Sequence, residues 1–399
     1  MKIYLVGGAV RDQLLGYPVK ERDYVVTGAT PEQMLAQGFR LVGKNFPVFL
    51  HPKTHEEYAL ARTERKIGPG YTGFSCYAAP DVTLKADLER RDLTINAIAQ
   101  TSEGEIIDPH YGIDDITNRV LRHVSPAFIE DPVRILRIAR FMARFAPLKF
   151  RIAPETMDLM KVIVQSGEID SLIPERVWQE FSLALTEPAP QAFIKTLYEC
   201  GALAILFPPL QEIYVEFNRT YAKNKFEPFN LTVLAQAANL TDDPQVRFAA
   251  FLCSLGKGSS IHKQVNEKGI LSIQRMCQKY RISNAYSTLA IITARFHLLC
   301  HRALELDADT LLSLLEKTDA FRRLARFKQF LLACEADFHA YSGLETKLYP
   351  QTERILAALA AAKNISTAET LIKGLKGKAL GKELHKQRSA AINKLISFS

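Results

Sequence analysis

An acid and three arginines recur at every third residue between Glu130 and Arg140, at Asp131, Arg134, Arg137 and Arg140. The segment has the apolar spacing of a helix, on which residues three apart point the same way. An aspartate acceptor beside an arginine fork matches the hydrogen-bonding edge of a base, and the two later arginines carry the charge to hold a triphosphate. Taken alone, the pattern favours a simpler interpretation, an amphipathic helix whose arginines are merely solvated. Three upstream segments change that balance.

The N-terminal segment supplies the elements of a phosphate site. The sequence predicts a strand over residues 2–6, a tight turn at Gly7 and Gly8, a short helix over residues 9–15 and a second strand over residues 23–26. Glycines in such a turn allow backbone amides to approach a phosphate at the start of a helix. Taken singly, the glycine pair favours an ordinary turn over a phosphate site.

Two acids at the start of the second strand supply the elements of a metal site. Glu21 and Asp23 lie two residues apart, so on an extended strand both side chains point to one face. A pair of carboxylates in that arrangement is what two-metal phosphoryl transfer requires, and we predict that they bind Mg²⁺. A solvated strand end is the simpler alternative.

The remaining two segments lie between these sites. Residues 90–97 are predicted to form a helix, with Arg91 near its start and with Asp92 and Asn96 four residues apart on one face, where they can meet ribose hydroxyls and phosphates. Residues 62–88 are rich in glycine and proline and are predicted to be a long irregular stretch, which is typical of a lid or a surface loop.

Together these motifs resemble one known family, the class II tRNA nucleotidyltransferases of the bacterial type, which are the CCA-adding enzymes. The resemblance covers about the first 180 residues with high specificity and continues more weakly through the rest of the chain. It rests on six segments: Gly7 to Asp12, Glu21 to Val26, Arg90 to Ala97, Asp108 to Asp115, Glu130 to Arg140 and Pro174 to Trp178.

The resemblance implies roles for individual residues within these segments. Glu21 and Asp23 would hold the catalytic Mg²⁺, and Asp131 and Arg134 would select the base. The residues that would bind the incoming ATP or CTP are Gly8, Arg11, Arg91, Arg137 and Arg140. The implied reaction is attack of the tRNA 3′ hydroxyl on the α-phosphate with loss of pyrophosphate, repeated for C, C and A without a nucleic-acid template. In this family the loop that matches residues 62–88 is implicated in the switch from CTP to ATP.

The charge of the chain agrees with an anionic partner. Fifty-one basic residues against 43 acidic ones give a net charge of +8, and much of the excess lies after Leu371. A basic C-terminal helix of this kind can grip an RNA backbone, although a solvated helix face has the same composition. The family binds tRNA through its tail, which favours tRNA contacts by Lys376, Lys378, Lys382, Lys386 and Arg388.

Cysteine usage and hydropathy bound the location of the protein. The six cysteines include no Cys-x-x-Cys pair, so we expect reduced and mostly buried thiols. The apolar start is too short for a signal peptide, and no later run reaches transmembrane length. We therefore expect a cytoplasmic protein with no membrane partner; the sequence gives no indication of its oligomeric state.

The predicted fold is α+β, with a mixed-sheet nucleotidyltransferase head followed by an extended all-helical neck, body and tail. Strand-like segments give way to helical periodicity near residue 118. The predicted boundaries are a catalytic head over residues 1–118, a nucleotide-selecting neck over 119–203, a body over 204–334 and a basic, tRNA-binding tail over 335–399.

The body departs from the relatives that the resemblance indicates, many of which carry a metal-dependent His-Asp phosphohydrolase site there. Cys253 and Ser254 stand where that His-Asp pair would be, and Phe229 stands in place of its first histidine, although Asp337 matches its final aspartate. His262, His297 and His301 remain in the region, the last two at a helical spacing that can bring two imidazoles to one metal. Because Cys-Ser cannot supply the bridging carboxylate, we expect a degenerate domain without phosphohydrolase activity.

Three alternatives remain open. A bacterial poly(A) polymerase shares the head and neck motifs, but such enzymes usually have extra sequence before the first strand. A catalytically silent tRNA-binding protein would be expected to lose the Glu21 and Asp23 pair, which this chain keeps. A dinucleotide-binding enzyme would need a third glycine after Gly7 and Gly8 and a run of alternating strands and helices, and the sequence has neither.

Overall fold

The computed structural model describes residues 1–42, 47–68, 73–221, 228–255, 267–365 and 377–397. The chain forms two compact units. The first consists of Met1–Ala184 and Ala192–Leu206, and the second of Leu185–Gln191 and Phe207–Ser399.

The first unit is built on a seven-stranded mixed sheet with the strand order β3-β4-β5-β2-β1-β8-β9. Strand β1 pairs with β2 antiparallel and β2 pairs with β5 parallel. Two further pairs, β6 with β7 and β10 with β11, form separate small sheets. In chain order the strands are Lys2–Val6, Asp23–Thr27, Arg40–Leu41, Val48–Leu50, Glu57–Leu60, Thr63–Lys66, Phe74–Tyr77, Ala99–Gln100, Ile106–Ile107, Val120–Leu121 and Arg151–Ile152.

Both faces of the large sheet are covered. Successive strand residues point to opposite faces, so the adjacent Val25 and Val26 enter two different hydrophobic clusters. Val25 packs with Val6 and Leu88, and Val26 packs with Phe49 and other apolar side chains. The burial of both faces holds β1 and β2 rigidly, and the residues at their ends inherit that rigidity.

Among the described residues up to Leu206 there are nine α-helices, together with short 3₁₀ helices at Thr94–Asn96, Pro126–Glu130, Ala146–Leu148 and Glu168–Ser171. Helix α7 runs across the point where the chain passes from the first unit to the second. Numbered α1 to α9, the helices are Gly8–Leu14, Pro31–Ala36, Leu84–Glu89, Gly112–Asn118, Val133–Phe145, Pro154–Gln165, Pro174–Thr186, Gln191–Glu199 and Ala202–Leu206.

The second unit is helical in all its described elements. Helices α11, α12, α14 and α16 pack against one another, and the C-terminal helix α18 packs against α15 and α17. Numbered α10 to α18, the helices are Pro208–Tyr221, Phe229–Leu240, Pro244–Leu252, Glu267–Lys279, Asn284–His301, Ala308–Lys317, Leu324–His339, Gln351–Lys363 and Gly377–Ser397. The predicted fold class is therefore confirmed, whereas the boundaries at residues 118, 203 and 334 stay predictions.

Two local predictions were wrong. Residues 62–88 are not a single irregular stretch, because β6 and β7 pair as an antiparallel hairpin and α3 follows them. Residues 90–97 are not an α-helix: a turn leads into a single 3₁₀ helix at Thr94–Asn96. The Asp92 carboxylate accepts a hydrogen bond from the Leu93 amide, a local contact that competes with helix formation.

Five of the six cysteines are buried and Cys76 is half-buried, all as free thiols, as predicted. Within the parts of the chain that the structure describes, no helix is both long and apolar enough to span a membrane.

Candidate nucleotide and metal site

A cleft of about 580 Å³ in the first unit brings the predicted site residues together. All eleven residues predicted to bind metal or nucleotide line this cleft: Gly8, Arg11, Glu21, Asp23, Arg91, Asp92, Asn96, Asp131, Arg134, Arg137 and Arg140. The sequence did not predict several others, which are Arg62, Glu64, Arg90, Phe141, Arg144 and Arg176. Nine arginines against five carboxylates make the cleft suited to a polyanion.

The glycine turn positions the floor of the cleft. Gly7 directly follows β1 with φ +69°, and its amide donates to the Ile98 carbonyl at 3.1 Å. A Cβ at this position would lie 2.8 Å from Nη1 of Arg91, so glycine permits the close approach of that guanidinium. Gly8 then begins helix α1, which carries Arg11 one turn later.

Arg11 is almost fully buried, and its guanidinium is held by contacts with several side chains. Its Nη1 donates to Oδ1 of Asn96 at 2.5 Å, and its Nε donates to Oδ1 of Asp12 at 2.9 Å. The other Asp12 oxygen accepts from Nη2 of Arg144 at 2.8 Å. The Arg11 guanidinium also lies 5.3 Å from the ring centroid of Phe141. A single carboxylate thus fixes two of the arginines that line the cleft.

Arg91 is fixed by a carboxylate that sequence reasoning missed. Asp87, on α3, is fully buried and accepts from Nη2 of Arg91 at 3.3 Å and from Nη2 of Arg90 at 2.8 Å. Burial raises the pKa of Asp87, but the two arginine charges and their hydrogen bonds outweigh it and hold the pKa below its usual value. Asp87 also accepts from the Arg62 amide, which fixes the base of the β6–β7 hairpin beside the cleft.

Asp92 and Asn96 face inward as a supporting pair. Oδ1 of Asp92 accepts from Nδ2 of Asn96 at 3.0 Å, and Oδ2 accepts from Nε of Arg137 at 2.7 Å. Burial raises the pKa of Asp92, but the larger opposing effect of Arg137, Asn96 and the nearby Arg134 charge keeps that pKa well below its usual value. Both side chains hold arginines in place, and both still line the cleft.

Helix α5 presents the later arginines as predicted, but Asp131 does not lie on it. The helix begins at Val133, and extended Asp131 accepts from the Val133 amide at 3.0 Å through Oδ1. Proline at position 132 explains the late start, because the residue before a proline is biased away from helical geometry. Oδ2 of Asp131 lies 3.8 Å from Nη2 of Arg176.

Helix α5 carries four arginines, and the three that the sequence predicted for the site differ in their partners. Arg134 donates from Nη2 to the Arg90 carbonyl at 2.7 Å and from Nη1 to the Ala127 carbonyl at 3.4 Å. Arg140 donates from Nε to Glu180 at 2.7 Å, and the other Glu180 oxygen lies 3.9 Å from Arg137. Glu180 on α7 therefore aligns two arginines that lie three residues apart.

Glu21 and Asp23 line the same cleft from the start of β2. Asp23 begins the strand opposite Val6, whereas Glu21 precedes the strand. Desolvation raises the pKa of Asp23, the Glu21 charge raises it further, and Arg91 opposes both. Glu57 is the register partner of Asp23 on β5 but is not among the residues that line the cleft. A pair of carboxylates in which the charge of Glu21 raises the pKa of Asp23 fits a divalent cation, which would relieve that repulsion.

The tail residues lie in the second unit. Lys378, Lys382 and Lys386 are exposed on α18 at a spacing of four residues, which puts them on one helix face. Arg388 instead packs over Phe321, with 4.3 Å between the guanidinium carbon and the ring centroid. Lys376 lies outside the described residues.

Two family models match the chain. Residues 3–122 match the poly A polymerase head domain, and residues 149–214 match the probable RNA and SrmB-binding site of polymerase A. The mixed-sheet head and part of the helical region that follows it therefore match domains that are named for polymerase A.

Whole-chain comparisons narrow this class. The multifunctional CCA proteins of Thioalkalivibrio sulfidiphilus and Nitrosococcus oceani are each 52% identical over 99% of this chain, covering 98% and 99% of their own lengths. This chain belongs to that family, and the resemblance to CCA-adding enzymes is confirmed.

Solved structures agree on the fold. The Thermotoga maritima CCA-adding enzyme complexed with tRNA has a TM-score of 0.66 at 23% identity, with 98% of this chain and 87% of that chain covered. The Bacillus stearothermophilus CCA-adding enzyme in complex with CTP has a TM-score of 0.69 at 23% identity, covering 98% and 89%.

Proposed function

We propose that this protein adds C, C and A to the 3′ end of tRNA from CTP and ATP, releasing pyrophosphate, without a nucleic-acid template. The observation that carries the proposal is a single cleft that holds both Glu21 and Asp23 together with nine arginines. Such a cleft offers cation ligands and phosphate ligands side by side, which is what nucleotidyl transfer requires. Membership in the family of multifunctional CCA proteins supports the substrates.

Glu21 and Asp23 would hold Mg²⁺, which prefers carboxylate oxygens. When bound, the ion would stabilise charge that develops on the phosphate and lower the pKa of the attacking hydroxyl. The protein's own contribution is placement of the triphosphate. In this proposal the triphosphate is bound by the Gly8 turn and by guanidinium groups of Arg11, Arg91, Arg137 and Arg140.

Base selection is assigned to Asp131 and Arg134. Both line the cleft, and one offers acceptors while the other offers donors. The two carbonyls that hold Arg134 are rigid acceptors, so a base that pairs with this guanidinium meets it in a restricted orientation. Asp92 and Asn96 act as positioning residues for Arg137 and Arg11, because their hydrogen bonds go to those side chains.

The exposed lysines of α18 are proposed to contact the tRNA backbone, together with Arg388 and with Lys376. Three lysines on one helix face form a stripe of positive charge, and phosphate contacts of this kind are sensitive to salt. The cytoplasmic location expected from the sequence stays a prediction.

Incorporation of labelled CTP and ATP into a tRNA that lacks its last three nucleotides tests the proposal, with Mg²⁺ as the only metal and an unrelated RNA ending in A alongside. Ordered addition of two C and one A, confined to tRNA, is the expected result. A poly(A) polymerase is the second candidate, because the family that matches the head is named for that enzyme. Long A tails on both RNAs would identify that activity instead. Absence of incorporation with retained tRNA binding would indicate a silent binding protein.

A further inference from the structure

Three buried side chains of different chemistry meet inside the second unit. Cys253, His297 and Asp337 each offer one ligand atom, and these atoms all lie within 4.8 Å of one another. Each of the three residues has 0% of its surface exposed. They come from three helices that pack together, since Cys253 follows the end of α12, His297 lies in α14 and Asp337 lies in α16.

The ring of His297 is oriented to present a ligand atom. Its Nδ1 lies 2.9 Å from the Thr293 carbonyl oxygen. Because a carbonyl only accepts, Nδ1 carries the proton and Nε2 carries the lone pair. A histidine held in this way by a backbone carbonyl is in the tautomer that binds metals through Nε2.

Asp337 is oriented by a chain of outer contacts. Its Oδ1 accepts from Sγ of Cys253 at 3.1 Å, and its Oδ2 bonds with Nε2 of His301 at 2.8 Å. Nδ1 of His301 in turn lies 2.8 Å from the Tyr349 hydroxyl. A carboxylate with one oxygen toward a thiol, and with the other oxygen held by a histidine from a neighbouring position, has the arrangement of a supported metal ligand.

The three ligand atoms lie near enough to one another to share a single ion. Zinc binds sulfur at about 2.3 Å and nitrogen or oxygen at about 2.0–2.2 Å, so ligand atoms around one ion lie roughly 3.4–3.6 Å apart. The 3.1 Å between sulfur and oxygen has to widen slightly, and the separations to the imidazole nitrogen are at most 4.8 Å, so small side-chain rotations suffice to reach this geometry. A set of thiolate, imidazole and carboxylate favours Zn²⁺ over Mg²⁺.

This set differs from the His-Asp site that the family resemblance implies. Cys253 and Ser254 replace the central pair, and a neutral hydroxyl does not bridge two cations as a carboxylate does. Phe229, in place of the first histidine, packs its ring 4.8 Å from the Tyr341 ring centroid. His262 lies outside the described residues. The donors therefore suit one ion and do not suit a hydrolytic pair.

We propose that the second unit binds a single Zn²⁺ through Sγ of Cys253, Nε2 of His297 and a carboxylate oxygen of Asp337, with a fourth position for water. The ion ties α12, α14 and α16 together and stabilises the unit. It supports no phosphohydrolase reaction, and it is separate from the cation that Glu21 and Asp23 would bind in the first unit.

Cobalt substitution in the full-length protein tests this proposal, because a Co²⁺–thiolate bond gives a charge-transfer band in the near ultraviolet. We expect the wild-type protein to bind one Zn²⁺ per chain by elemental analysis and to show the band when Co²⁺ replaces it. Cys253→Ser should lose the band and bind zinc at least tenfold more weakly. The matched control is Cys277→Ser, which changes a buried cysteine of α13 outside the cluster and should keep both properties.

Two results would overturn the proposal. The first is a folded wild-type protein, judged by circular dichroism, that gives no band at saturating Co²⁺. The second is a band or a zinc stoichiometry that is the same in both cysteine variants, which would mean adventitious binding elsewhere. Thermal unfolding adds a measure of the stabilising role: zinc should raise the Tm of the wild type by a few degrees but not that of Asp337→Asn. A Tm that zinc leaves unchanged in the wild type would remove that role. None of these measurements depends on nucleotidyl transfer.

Discussion

Asp92 is the carboxylate whose replacement best tests how the cleft holds its arginines. Asp92→Asn keeps the size and shape of the side chain but removes its charge. The 2.7 Å contact with Nε of Arg137 then becomes a neutral hydrogen bond or is lost. Asp92 is 7% exposed, whereas Arg137 is 37% exposed, so the Arg137 side chain has room to move once this contact is weakened. We therefore expect the Arg137 guanidinium to lose its fixed orientation, although the residue still lies at the cleft.

The magnitude follows from the contact. A hydrogen bond to a charged partner contributes about 1.5–3 kcal/mol, and the partial exposure of Arg137 reduces this to about 1–2 kcal/mol. If the same amount is lost from the transition state, kcat falls roughly 5- to 30-fold, since each 1.4 kcal/mol is about tenfold. The KM for CTP and ATP should change by less than about threefold, because removing a negative charge from the cleft favours anion binding while the orientation is lost.

The stability effect of Asp92→Asn has a defined pH dependence. The folded-state pKa of Asp92 lies well below its ordinary value of 3.8. A depressed pKa contributes stability that is fully present above the unfolded-state pKa and is lost as the pH falls through the folded-state pKa. The difference between wild type and variant should therefore be constant from about pH 5 to pH 8 and should shrink below about pH 4.

Two assays check these expectations. The chain has one tryptophan, Trp178 on α7, so its fluorescence during urea denaturation reports on the unfolding of that region. Incorporation of labelled nucleotides gives kcat and KM. Asp158→Asn is the control, because Asp158 is 73% exposed and its carboxylate lies 3.6 Å from Nζ of Lys161, which is itself exposed. If Asp92→Asn matched this control in both stability and kcat, the positioning role of Asp92 would be refuted.

Three further predictions concern other parts of the molecule. Glu21→Gln and Asp23→Asn should each abolish nucleotide addition, while the affinity for tRNA stays within a few-fold of the wild-type value. Glu57→Gln should remain active, because Glu57 is not among the residues that line the cleft. Equal losses of activity in all three variants would indicate that Glu57 belongs to the metal site. Gly7→Ala and Gly16→Ala, both at positive φ, should each lose about 1 kcal/mol of stability, but only Gly7→Ala should weaken triphosphate binding, because a Cβ meets Arg91 at Gly7 and nothing at Gly16. Three exposed lysines of α18 lie on one helix face: Lys378, Lys382 and Lys386. Replacing all three by alanine should weaken tRNA binding and reduce its salt dependence by up to about three phosphate contacts, whereas replacing all three by arginine should preserve both. Filter binding over a series of salt concentrations measures this, and the same result for both triple variants would exclude these lysines from the interface.

The sequence was a good guide to the cleft because its residues lie in short motifs. Strand β1 and the glycine turn were predicted correctly, and helix α1 within one residue at each end. Apolar alternation and the Gly7–Gly8 pair are local signals, so no knowledge of the tertiary structure was needed. The spacing of Arg137 and Arg140 is a local signal of the same kind, and it was sufficient to predict that both side chains lie on one face of a helix.

The carboxylates that pair with the arginines of the cleft could not be predicted from the sequence. The contact between Asp12 and Arg144 spans 132 residues, and that between Arg140 and Glu180 spans 40. No local pattern indicates which of many acids meets which arginine, because the pairing depends on how distant elements pack. The predicted helix at residues 90–97 failed for the opposite reason, since a local side-chain contact at Asp92 overrode the i,i+4 pattern.

The carboxylates that pair with arginines also limit charge repulsion within the cleft, which is the triphosphate site in the proposed function. Asp12, Asp87, Asp92 and Glu180 each contact at least one arginine that lines the cleft, through hydrogen bonds of 2.7–3.3 Å. These carboxylates reduce repulsion among the nine arginines and fix their geometry before a nucleotide arrives. Each arginine fork has several donors, so a phosphate can be bound while the carboxylate contact is kept. The binding energy of the nucleotide is then available for orientation of the α-phosphate rather than for ordering of side chains.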